Sequence, residues 1–143
     1  MTDQTTHQAA LQSISPFFIV RDLKASTAFY REKLGFDVRS ETPEPEPFFA
    51  IVGRGGVQIM LKEIDQQIAP LPNPQRHHWA SWDAYVYVPD PDGLAAELTA
   101  NGVRFSKPLA NTDDSLRGFE IADADGYTLF FGRPIEPSDT EVS

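Results

Sequence analysis

Two runs of alternating residues hold most of the side chains in this sequence that could do chemistry. Gln58, Met60 and Lys62 alternate with Ile59 and Leu61, and Asp83, Tyr85 and Tyr87 alternate with Ala84 and Val86. In a β-strand successive side chains point to opposite faces, so each run offers aromatic or polar groups on one face and aliphatic groups on the other. An aromatic face with a few interleaved polar groups is the usual composition of a ligand pocket. Aromatic rings stack on flat molecules or hold a cation, each contact contributing about 0.5–2 kcal/mol. Asp83 would then be the anionic anchor for a positive substituent. The plainer alternatives are a closed core or a dimer interface for the aromatics. For Asp83 the alternative is a strand-end carboxylate bonded to Lys62 or to a backbone amide.

Other candidates lose to simpler explanations. His77 and His78, with Glu63 or Asp65 as company, could suggest a metal. They lie in a proline-rich loop, and adjacent side chains on an extended chain point in opposite directions, which favours a solvated pair. Trp79 and Trp82 flank them as loop packing or as part of a lid. Gly53 to Gly56 joins two strands rather than a strand to a helix, which makes it a hairpin turn and not a phosphate loop. The chain has no cysteine, so disulfides, thiolate catalysis and Cys-type zinc sites are excluded.

The elements that must position these residues are legible in outline. Ile14 to Val20 is rich in β-formers, Asp22 is a helix N-cap, and Leu23, Thr27, Tyr30 and Leu34 recur at helical spacing before a Gly35 C-cap. The Glu44-Pro45-Glu46-Pro47 stretch ends the strand that follows. Phe48–Val52 and Val57–Lys62 read as a hairpin. From Glu63 to Ser81 there is no period, and Pro70, Pro72 and Pro74 break any regular element. Trp82–Val88 alternates as a strand, Asp90-Pro91 opens a second helix, and Asn101-Gly102 closes it. Strands are predicted near Val103–Phe105, Gly118–Ala122 and Tyr127–Gly132.

The second half thus repeats the first. Laid over each other without a gap, Phe49 matches Phe119, Ile51 matches Ile121, Gly56 matches Gly126, Ile59 matches Leu129 and Leu61 matches Phe131. Each copy reads strand, helix, three strands. The reading is an α+β fold of two tandem βαβββ modules forming a curved sheet around a cleft, with helices on the outer face. The expected bounds are a disordered segment over 1–12 and a single domain over 13–134. Within it the repeats span 14–62 and 82–132, joined by a 63–81 linker, and a disordered tail follows over 135–143.

At 143 residues, 41% hydrophobic and 23% charged, the chain is long enough for one packed core. A net charge of −9 argues against nucleic acid as a partner, since that partner selects a basic footprint. An acidic field favours encounter with cationic small molecules. The N-terminus lacks the pattern of a signal peptide and no segment has the length of a membrane span, so no membrane partner and a cytoplasmic location are expected.

The two βαβββ copies, with D-L…F-Y…L-G-F in the first and D-x-D-G-Y in the second, resemble the vicinal oxygen chelate superfamily. That superfamily includes glyoxalase I, extradiol dioxygenases and the bleomycin-resistance proteins. The resemblance covers residues 14 to 134. In metal-using members the ligands are His or Glu on the first strand and Glu on the last strand of each copy. The matching positions here are Ser15, Met60, Asp83 and Phe130, of which only Asp83 could ligate a hard or borderline ion. No metal, no cofactor and no catalytic residue are therefore expected. The pattern is most similar to the bleomycin-resistance branch, through F-x-x-x-L-G-F and through Arg117, Phe119, Asp123 and Gly126. Ser115-Leu116 stands where that branch usually has Trp-Gly.

The resemblance implies a metal-independent protein that sequesters an aromatic, cationic compound, as antibiotic-resistance relatives do, and a homodimer. The alternative is a lyase, isomerase or dioxygenase with a rearranged metal site. The expected ligand-contacting set is Ser15, Phe17, Gln58, Met60, Lys62, Asp83, Tyr85, Tyr87, Arg117, Phe119 and Phe130.

Overall fold

A computed structural model describes residues 8–140. The elements run β1 (Phe17–Val20), α1 (Leu23–Glu32), β2 (Asp37–Thr42), β3 (Phe49–Arg54), β4 (Val57–Glu63), α2 (Asn73–Arg76), β5 (Ala84–Tyr87), α3 (Pro91–Ala100), β6 (Phe105–Asn111), β7 (Leu116–Ala122) and β8 (Thr128–Pro134). They form two four-stranded mixed sheets, ordered β1-β4-β3-β2 and β5-β8-β7-β6. In each sheet the first strand runs parallel to the last and the other pairings are antiparallel. The fold is α+β, built of two similar modules.

The local signals act as their chemistry requires. The Asp22 carboxylate accepts from Ala25 N–H at 3.3 Å and Asp90 from Gly93 N–H at 3.0 Å, satisfying first-turn amides of α1 and α3. Gly35 and Gly102 leave the two helices at φ +72° and +81°, which side chains with a Cβ adopt poorly. Several predicted boundaries differ, among them the strand expected near Val103–Phe105, which runs over Phe105–Asn111, and that expected over Trp82–Val88, which is confined to Ala84–Tyr87. Ile14 is exposed and β1 begins only at Phe17. The proline-rich linker makes one helical turn, α2, because Pro74 falls in its first turn, where no N–H is needed. After Pro134 the chain forms a 3-10 turn over Pro137–Thr140, held by Asp139 on Arg133 at 2.6 Å. No described helix is long and apolar enough to cross a membrane.

One core serves both modules. Phe18, Val20, Ile59 and Leu61 from the first sheet share it with Phe119, Ile121, Leu129 and Phe131 from the second, under α1 and α3. The joint is reinforced by reciprocal contacts from each helix to the far module. The Tyr30 hydroxyl in α1 donates to Asp123 at 2.6 Å, Ser26 donates to Asp125, and the Tyr127 ring stacks on Phe18 at 4.2 Å. In the other direction Glu97 of α3 takes a bidentate pair from Arg54 at 2.9 Å.

The gapless repeat is off by one residue in its middle strand. Phe17 pairs with Met60 and Tyr85 with Phe130, so the ends of each module correspond as expected. Val52 faces Ile59 and Ile121 faces Leu129, which leaves six residues in the first turn and seven in the second. Phe119 therefore corresponds to Ala50, not to Phe49. A one-residue slip moves a strand residue to the opposite face.

Asp123 is the buried charge in this joint. Burial pushes its carboxyl up to about 6, against the hydrogen bonds from the Tyr30 hydroxyl and the Asp125 and Tyr127 amides that favour the ionised form. Because the folded-state value lies above that of the unfolded chain, the folded state holds a proton that the unfolded chain releases. Stability is highest below pH 4 for this group and is lost as pH rises through about 6, by on the order of 3 kcal/mol. Urea unfolding at pH 4 to 7 should show this fall as a difference between the wild type and Asp123→Asn. Parallel pH profiles would show that Asp123 is not its source.

Candidate ligand-binding site

The faces turned away from the helices hold most of the predicted site. On the second sheet Tyr85, Phe130 and Glu120 lie in one row across β5, β8 and β7, and Tyr87, Gly132 and Gly118 lie in the next. On the first sheet the corresponding rows are Phe17, Met60 and Ile51, then Ile19, Lys62 and Phe49. The two sheets bury their opposite faces in the common core, so both of these faces lie outside it.

The centre of the second sheet is an aromatic stack. Phe130 is only 3% exposed yet lies outside the main core cluster. Its ring extends over Gly132 and Gly118, where an added Cβ would come within 2.5 Å and 2.7 Å of it. Tyr85 stacks on Phe130 at 5.5 Å and 20°, and Trp82 lies 5.2 Å from Phe130 and 5.4 Å from Tyr85. Burial and the nearby Tyr87 push the Tyr85 hydroxyl up, so it stays a neutral donor at neutral pH. Tyr87, two residues on from Tyr85, is 62% exposed beside the stack, while Phe17, 53% exposed on the first sheet, lies 6.3 Å from the Phe49 ring.

Several predicted residues have other partners. Asp83 accepts from the Asn73 amide at 2.7 Å on one oxygen and from the Thr128 amide at 2.8 Å on the other. It ties the linker to the start of β8, which is the strand-end role, so the anionic anchor expected here is already engaged. Gln58 accepts from Arg39 at 3.2 Å, and Lys62 sits 5.8 Å from the Phe48 ring centroid. Phe119 and Arg117 do not lie on this face. Phe119 is fully buried between Phe105 and Phe131 on the helix side, and Arg117 reaches α3, where Asp92 binds it at 2.7 Å. The longer second turn is the cause, since it reverses the face assigned to β7. His77 and His78 also differ from expectation: their rings stack at 4.5 Å, because a turn closed by Ala80 N–H on His77 C=O bends the chain there.

The same slip concealed Glu120. Its carboxylate is 7% exposed, sits beside Phe130, accepts from Ser106 at 3.0 Å and lies 3.9 Å from Lys107. The gapless repeat put residue 119 in its place. Trp82 is legible in the sequence as the start of a strand or as a loop aromatic, but its position in the stack depends on how the chain enters β5.

The four positions that match the ligand set of metal-using members do not fit a divalent ion. Ser15 offers a neutral hydroxyl, Met60 a thioether and Phe130 a ring, while both Asp83 oxygens are held by amides. Among the described residues no three His, Cys, Asp or Glu side chains converge as a metal-binding group.

Residues 10–131 match the family described as the Glyoxalase/Bleomycin resistance protein/Dioxygenase superfamily. The chain belongs to this superfamily. No curated protein matches the sequence. Among solved structures, the bleomycin-binding protein from bleomycin-producing Streptomyces verticillus, complexed with copper(II)-bleomycin, has a TM-score of 0.66 at 21% identity, over 90% of this chain and 100% of that one. TnmS3, an antibiotic-binding protein from Streptomyces sp. CB03234, has a TM-score of 0.65 at 22% identity, again over 90% and 100%. A glyoxalase/bleomycin resistance protein/dioxygenase from Nocardioides has 0.64 at 21% identity, over 98% of this chain and 95% of that one. At these identities the likeness establishes the glyoxalase-type fold.

The Asp83 clamp is open to test. Asp83→Ala leaves two amides without an acceptor and should cost on the order of 2–4 kcal/mol, while Asp83→Asn keeps one and should cost about half as much. Urea unfolding of both variants measures this. Equal and small losses would show that water replaces the carboxylate freely.

Proposed function

We propose that this chain binds a small aromatic, cationic compound on the aromatic face of its second sheet, without a metal ion and without chemical turnover. The observation that carries this reading is the Trp82–Tyr85–Phe130 stack occupying a position where metal-using relatives place a donor. A ring resting on glycines provides a flat, rigid floor, and flat floors suit flat ligands. Glu120 is the carboxylate of that face and supplies the charge preference; Tyr87 is the exposed ring that extends the contact. Antibiotic-binding proteins of the same fold in Streptomyces are consistent with such a role. The bound form is a homodimer, in which the ligand lies in a cleft between the open face and the second copy. Exposed rings on a flat sheet cost solvation until something covers them.

Two cationic aromatic probes, ethidium and metal-free bleomycin, test the reading by quenching of Trp82 fluorescence in a Trp79→Phe background. Tyr85→Ala and Glu120→Gln should each weaken binding roughly tenfold, the equivalent of one stacking or charge contact. EDTA should leave affinity unchanged. Wild-type affinity in both variants would remove this face as the site. A thermal shift of several degrees with Ni²⁺, Zn²⁺, Mn²⁺ or Fe²⁺ after EDTA stripping would restore the metalloenzyme reading.

A further inference from the structure

The molecule has an apolar cavity on the helix side of the sheets, apart from the aromatic face. Leu34, Val57, Val86, Leu94, Leu98 and Phe131 line about 160 Å³ between the β3–β4 hairpin, the open edge of β5 and α3. Arg54, held by Glu97 and by the Leu34 carbonyl at 2.9 Å, borders it. An apolar cavity of roughly 150 Å³ accommodates a benzene-sized ring.

The internal repeat says what belongs there. The register that equates Phe17 with Tyr85 and Met60 with Phe130 also equates Phe18 with Val86, Ile19 with Tyr87 and Val57 with Tyr127. In the other half of the molecule Tyr127 fills the corresponding space. Its ring lies flat on Phe18, 4.2 Å away and tilted by 3°, and its hydroxyl donates to the Ile19 carbonyl at 2.6 Å. On the β5 side both partners of that stack are valines, and the ring is missing. The carbonyl remains. Val88 N–H donates to Gly132, so Val88 faces β8 and the preceding carbonyl, that of Tyr87, points to the open edge as Ile19 does.

We propose that this cavity is a binding site for a monocyclic phenol, free or as the terminal group of a larger molecule, seated as the Tyr127 side chain is in the other half. The ring lies between Val57 and Val86, and the hydroxyl donates to the Tyr87 carbonyl. The same positions of the fold thus hold a built-in phenol in one module and an open apolar cavity in the other. The cavity wall is apolar apart from Arg54, whose charge is already paired, which excludes charged ligands from the interior.

The test is a titration of the full chain with 4-methylphenol, followed by methyl NMR. Saturable shifts and intermolecular contacts are expected at the methyls of Val57, Val86 and Leu98. Toluene, which lacks the hydroxyl, should bind about fivefold more weakly, the size of one net hydrogen bond. Val57→Tyr should fill the cavity from within and abolish both. Shifts elsewhere on the protein only, or binding that persists in folded Val57→Tyr, would overturn the site. Toluene binding as tightly as 4-methylphenol would overturn the phenol. Should Val57→Tyr not fold, the wild-type methyl contacts decide by themselves.

Discussion

The hydrogen bond from Tyr30 to Asp123 is the constraint on which the arrangement depends. It joins the first helix to the turn of the second module inside a core where neither group meets water. An unpaired hydroxyl or carboxylate there would cost several kcal/mol, so the two modules can pack only where these partners meet. Asp123 also accepts from the Asp125 and Tyr127 amides, so the same carboxylate shapes the turn that it anchors. Fixing the turn places Tyr127 on Phe18, and that stack closes the seam between the sheets.

The repeat is consequently symmetric in backbone and asymmetric in chemistry. Where α1 uses a buried tyrosine to reach the far turn, α3 has Leu98 at the corresponding position and reaches across with Glu97, half-exposed, on Arg54. A surface pair of this kind contributes at most about 1 kcal/mol. Where one hairpin contributes Tyr127, the other contributes Val57. The first half of the joint is packed and polar-locked; the second is looser and contains the apolar cavity. Duplicated modules need only one tight joint to be oriented, which leaves the other free to diverge.

The outward faces follow from the same geometry. Once the aliphatic residues of both sheets are committed to one core, strand alternation sends Phe17, Met60, Tyr85 and Phe130 to the other side. There the positions of an ion-binding set are taken by a thioether, a hydroxyl and a ring, and the one carboxylate among them has been recruited to hold backbone amides. Gly118 and Gly132 complete the exchange, since only residues without a Cβ leave room for Phe130 to lie flat.

The sequence by itself determined the two modules, their helix caps at Asp22 and Asp90, the apolar face of β4 and β5, and the lack of an ion-binding side chain at three of the four matching positions. These are local properties: periodicity, capping and side-chain chemistry act within a few residues. Tertiary structure alone decided which face Phe119, Arg117 and Glu120 occupy, because that depends on a turn one residue longer in the second hairpin, and the pleat converts a single residue into a change of side. It also decided the role of Asp83. A carboxylate binds whatever donors come within 3 Å, and the amides of Asn73 and Thr128 reach it only after the linker has folded back over β8.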